Sequence, residues 1–126
     1  MLLNTAIRVV ALEAAQDAYR GGSLSQTRKY LNAAKNVNSR VGVDELAHNI
    51  AALDLAEGNV DAAINGLERV AGKLPEALVN LGIAYERKGD PLKALDAWRR
   101  ARKAGARFAP LSDWIESKER IYGGAQ

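Results

Sequence analysis

The chain has a single imidazole, His48, and no cysteine in its 126 residues. A zinc site needs three or four nitrogen, thiolate or carboxylate ligands at set spacings, and a metalloprotease needs paired histidines on one helix. Neither pattern exists, so His48 reads as a helix-surface or groove residue and no metal is expected. Two acidic pairs, Asp44-Glu45 and Asp54 with Glu57, are of the type that could exchange protons with a substrate. Helix-start charge and capping account better for Asp44-Glu45, and a solvated helix face for Asp54 and Glu57. Ser23 and Ser25 fall in a turn with no histidine near them in sequence, which leaves a nucleophile without its base. No glycine pattern follows a strand, so a phosphate-cradling loop is also excluded. The residues point to no catalytic centre and no cofactor.

The densest charge lies in Arg99-Arg100-Ala101-Arg102-Lys103, with Arg107 just beyond. Such a run could grip an acidic protein or the phosphates of a nucleic acid. No aromatic residues are interleaved to stack bases, which argues against nucleic acid. The simplest reading is a solvated helix face whose cations favour the helix C-terminus. The run belongs to a wider segregation. Residues 1–43 carry six basic and two acidic side chains, 44–86 carry two and eight, and 87–126 carry ten and five. An acidic middle lies between two basic ends, and this keeps open a self-assembling module in which the end of one molecule meets the middle of another.

All of these residues must be positioned by helices. Alanine recurs in every segment, and alanine-rich stretches poor in β-branched residues favour helix. Nowhere does the period-two alternation of a strand occur. Gly21-Gly22, Gly58-Asn59, Gly89-Asp90 and Gly105 each close a helix-period stretch, where a left-handed cap is usual. Ser23 with Gln26 resembles a capping box, and Asp90-Pro91 is an N-cap followed by a first-turn proline. Asn59 opens another helix, and Asp44 and Ser112 or Asp113 are candidate caps for two more. These signals predict seven helices, near 3–20, 23–38, 44–57, 60–72, 75–88, 91–104 and 111–122. Short turns force neighbours to lie antiparallel, and the longer breaks at Val41-Gly42-Val43 and Gly72-Lys73-Leu74-Pro75 separate one pair from the next. The apolar N-terminus is broken by Arg8, followed by Glu13 and Asp17, and has no small-residue cleavage site. It is expected to be a helix, not a signal peptide. No apolar run approaches the ~18 residues of a membrane span, so no membrane association and a cytoplasmic location are expected.

Residues 75–110 resemble a tetratricopeptide repeat, whose pattern is W-x2-L-G-x2-Y, then A-x3-F, then P over ~34 residues. Leu78 stands in the tryptophan place, while Leu81, Gly82 and Tyr85 match directly. After the Gly89-Asp90 turn come Ala94, Trp98 in the aromatic place, Ala101 and Pro110. Gly82 and Ala94 would let two helices approach, with Tyr85 and Trp98 filling the volume beside them. The segment from Asp44 to Pro75 repeats the scheme more loosely, with Ala47, Ile50 and Ala51 and then Ala63, Leu67 and Val70. Residues 1–43 repeat it weakly through Ala11, Ala14, Ala15 and Ala18, then Thr27, Leu31 and Ala34.

The resemblance implies an all-α, right-handed α-solenoid of three antiparallel helix pairs, with repeats at about 1–43, 44–74 and 75–110. A capping helix at about 111–122 would cover the last pair with Trp114, Ile115 and Tyr122, leaving Glu116, Lys118, Glu119 and Arg120 in water. The whole of 1–126 would form one unit. Proteins of this kind are scaffolds or adaptors whose first helices line a concave groove for an extended peptide or a helix. Carried over, the groove residues are Leu12, Gln16 and Tyr19; Glu45, His48, Asn49 and Ala52; and Glu76, Val79, Asn80, Ile83 and Glu86. Asn49 and Asn80 occupy equivalent places and could pair with a bound backbone. Family members that hold a C-terminal carboxylate use groove lysines and arginines. Here those places carry Leu12, Gln16, Asn49, Glu76 and Asn80, of which only Asn49 fits, so an acidic C-terminus is expected to be repelled.

Overall fold

A computed structural model describes residues 2–37, 39–40 and 42–123, with the backbone alone for 2–5. The elements are α1 (Leu2–Arg20), α2 (Leu24–Lys35), α3 (Val43–Ala56), α4 (Val60–Val70), α5 (Pro75–Lys88), α6 (Pro91–Lys103) and α7 (Leu111–Tyr122). No strand occurs among the described residues. The chain is an α-solenoid of helical repeats.

Four turns share one local chemistry. Gly22, Gly58, Gly89 and Gly105 have φ between 83° and 88°, where a side chain would clash with the backbone and glycine does not. At each, the next amide reaches back five residues: Ser23 N–H to Ala18 C=O, Asn59 to Asp54, Asp90 to Tyr85 and Ala106 to Ala101. This pairing closes the open carbonyls of a helix end. In three of the four turns the residue that closes one helix is also the N-cap of the next. Ser23 Oγ accepts from Gln26 N–H at 3.3 Å and Asp90 Oδ1 from Lys93 N–H at 3.2 Å. Asn59 is an N-cap without a side-chain bond. Each hairpin is therefore fixed by two adjacent residues.

Three helix ends depart from expectation. α2 stops at Lys35, short of the predicted 38, and Asn38 itself lies outside the described residues, as does Val41 in the following break. The guanidinium of Arg8 donates to the carbonyls of Ala34, Val37 and Ser39, so those groups are bonded by a side chain of α1 in place of a further helical turn. α3 starts at Val43 behind Gly42, with φ 72° and no side-chain cap. Asp44 sits inside its first turn, 3.7 Å from Lys73 Nζ. At α7 the N-cap is Pro110, whose ring sets a helical φ of −73°, and Ser112 and Asp113 fall within the first turn.

The helices pack in order, α1 on α2, α3 on α4 and α5 on α6, with α2–α3, α4–α5 and α6–α7 contacts joining the pairs. Within the third pair, Gly82 faces the indole of Trp98. A Cβ on Gly82 would fall 2.1 Å from Trp98 Nε1, and that nitrogen donates to Val79 C=O at 3.0 Å. The second pair achieves its close approach differently: Ala51 holds the place of Gly82, and the glycine is on the other helix, as Gly66. A Cβ there would lie 2.9 Å from that of Ala51. Trp114 stacks on this end, its ring 5.2 Å from Trp98 and 4.9 Å from Phe108, with Leu111 and Ile115 buried beneath α7.

The buried apolar residues form two clusters. Ala11, Ala15, Leu31, Ala34, Leu46 and Leu53 join α1, α2 and one face of α3. Ala51 and Leu55 on another face of α3 begin the larger cluster, which runs through Leu67, Leu81, Leu95 and Trp98 to Ile115. Charged groups bridge the seam. Arg28 of α2 donates to Asp54 Oδ1 at 2.8 Å and to Glu57. The bond to Glu57, opposed by partial burial and reinforced by Asp54, raises the guanidinium's pKa. Asp54 and Glu57 thus hold a partner helix instead of forming a solvated face.

Candidate functional site: the concave groove

The first helices of the pairs, α1, α3 and α5, line one groove of about 750 Å³. It arises because each pair turns its second helix outward and its first inward, so side chains at i, i+3 and i+4 of three helices face a common space. Leu12, Gln16 and Tyr19 contribute from α1; Glu45, His48, Asn49 and Ala52 from α3; Glu76, Asn80 and Ile83 from α5. The structure places two of the sequence-assigned residues elsewhere. Val79 is buried, its carbonyl bonded to Trp98, because one residue's rotation from Asn80 turns it toward α6. Glu86 lies on a neighbouring pocket and pairs with Lys118, so Lys118 is half-buried instead of facing water.

Sequence reasoning missed several lining residues. Val9 and Glu13 complete the α1 stripe at helical spacing from Leu12 and Gln16, and Arg87 lies four residues after Ile83; period alone could have found them. Thr27 and Leu31 form part of the floor from α2, and nothing in a first-helix rule would have pointed to them.

At the centre, Asn80 Nδ2 lies 2.8 Å from His48 Nε2. An amide nitrogen can only donate, so Nε2 accepts and the imidazole is neutral with its proton on Nδ1. Burial lowers the His48 pKa, while Glu76 and Glu45 pull the other way. The amide of Asn80 is thus already half engaged, while no group among the described residues hydrogen-bonds the Asn49 side chain. Three carboxylates, Glu13, Glu45 and Glu76, line the groove against one guanidinium, Arg87, which donates to Leu55 C=O at 2.8 Å.

Next to the groove, and sharing Ile83 and Arg87 with it, is a pocket of about 350 Å³. Trp98 and Trp114 are in its wall, together with Ser117 and the Glu86–Lys118 pair. Trp98 and Trp114 read as filling and capping residues in sequence, and their second role depends on where α7 lands.

The basic stretch is divided by internal pairing. Arg99 bonds Glu119 at 2.8 Å and Arg100 lies 3.9 Å from Asp96, while Arg102, Lys103 and Arg107 are exposed. Lys88–Asp61, Lys118–Glu86 and Lys73–Asp44 are contacts within one molecule, and all three involve residues of the acidic middle. Among the described residues no cluster of three or more His, Cys, Asp or Glu could hold a metal, and no helix is long and apolar enough to cross a membrane.

No protein-family model and no curated relative matches the chain. Among solved structures it is similar to the N-terminal domain of stress-induced protein-1 (STI-1) from C. elegans, with a TM-score of 0.70. The match covers 92% of this chain and 97% of that one at 14% identity. At that identity the likeness is one of fold: an all-helical solenoid.

Proposed function

We propose that the chain is a non-catalytic scaffold or adaptor that holds a segment of another protein along the concave face of α1, α3 and α5. The groove carries this reading. It is long enough to engage three helices, mixed in lining, and built from preformed elements, which keeps the ordering cost of binding low on this side of the interface. Helical grooves of this kind take an extended peptide or a helix by seating side chains between the helices. In this reading the three pairs and α7 act as one unit, soluble and cytoplasmic, with a protein as partner.

The test is selection of short random peptides displayed on phage against the immobilised chain, followed by amide NMR mapping of the peptides recovered. Shifts should cluster at 45–52 and 76–83 and vanish in Ala52→Trp, which fills the middle of the groove. Shifts confined to α2, α4 and α6 would rule the groove out.

A further inference from the structure

The groove and its neighbouring pocket together specify an occupant, given the groove reading above. We propose that the partner is a cationic protein segment whose lysines or arginines lie against Glu45 and Glu76 and whose one bulky apolar side chain is seated in the Trp98–Trp114 pocket.

Three observations converge on this. Carboxylates outnumber cations around the groove, and the single guanidinium, on Arg87, is already bonded to the Leu55 carbonyl. Glu45 and Glu76 are in the first turns of α3 and α5 and so lie at the same end of two parallel helices, giving a local field that attracts cations and repels anions. The pocket shares Ile83 and Arg87 with the groove, so a chain lying across α3 and α5 reaches it without a break. Its wall sets Trp98, Trp114 and Ile83 beside Glu86, Arg87, Ser117 and Lys118, and the apolar part suits an aromatic or large aliphatic side chain, the kind that anchors interfaces. Glu86 and Lys118 in that wall are paired with each other, so their charges are mutually satisfied beside the apolar surface.

A second copy of this chain does not supply that segment. Its own basic stretch is wound into α6, with Arg99 and Arg100 in internal ion pairs, and the aromatic residue that follows, Phe108, is packed edge-on against Trp114.

The experiment uses the whole chain and the phage-displayed random peptides. Recovered peptides should be rich in lysine and arginine and carry one Trp, Phe or Leu. Replacing that residue by alanine should weaken binding about tenfold, and raising the salt should weaken it further. Ser117→Trp changes an exposed position on the pocket wall, so the helical spectrum should be retained. It should weaken the anchored peptide about tenfold while leaving the alanine version unaffected. Glu45→Gln with Glu76→Gln should remove the salt dependence. Peptides that map to the groove but are acidic or uncharged, or that ignore Ser117→Trp, overturn this inference and leave the groove reading standing. Failure of any peptide to map to the groove overturns both. A dimer that competes with the peptides would overturn the occupant assigned here.

Discussion

Asn80 donates its side-chain amide to His48 Nε2 across 2.8 Å, tying the inner helices of the second and third pairs together at the groove floor. Protonation would remove the acceptor and place a cation in a site whose burial disfavours it. Because the folded histidine binds its proton less readily than the unfolded one, its contribution is complete above the unfolded value of 6.5. It is lost as the pH falls from there through the lower folded value. Urea midpoints measured downward from neutrality should fall more steeply for the wild-type chain than for His48→Gln. Equal slopes would refute the linkage.

Gly82→Ala should destabilise the chain by about 2 kcal/mol, since overpacking a filled core costs more than the helix propensity gained. Gly66→Ala meets only the Cβ of Ala51, and pairing it with Ala51→Gly moves the methyl group to the other helix and should recover most of the loss. Denaturant midpoints of the three variants form the test, and a double variant no better than Gly66→Ala would show that the contact is not the cause.

Arg8 is among the most buried polar side chains described, and it holds the carbonyls at the end of α2. Arg8→Met should cost about 2 kcal/mol, the scale of hydrogen bonds to a charged donor. Lysine should recover little, because a single ammonium lacks the spread of the guanidinium fork. Thermal unfolding of Arg8→Met and Arg8→Lys checks both statements.

Arg28→Ala should lower stability by about 1 kcal/mol and make it less sensitive to salt. The sharper readout is amide exchange. Protection should fall across α1 and α2 while α5 and α6 keep theirs; a uniform drop would mean that the two apolar clusters open as one.

Much of this fold was legible because its signals are local. Each turn glycine needs a left-handed backbone, Ser23 and Asp90 cap within three residues, and both facts are readable in a window of six. The groove stripe was legible from helical period once the first helix of each pair was known. What escaped notice depends on contacts far apart in sequence. Arg8 looked like an interruption of an apolar run until the end of α2 was set beside it, and Asp54 looked solvated until Arg28 arrived from 26 residues away. Likewise the exchange of glycine between Ala51 and Gly66 keeps the distance between helices while breaking the motif that records it. Val79 was misplaced by a single residue's rotation, which no sequence period resolves.

Since α3 contributes to both apolar clusters while α1 and α2 contribute only to the smaller, the first pair can shift against the rest without opening the larger core. The α1 bank of the groove is thus held by the smaller cluster alone and the α5 bank by the larger. For the occupant proposed above, a swing of α1 about α3 would admit varying girth while the pocket near Trp98 kept a constant frame, so affinity would be set at one end and tolerance at the other.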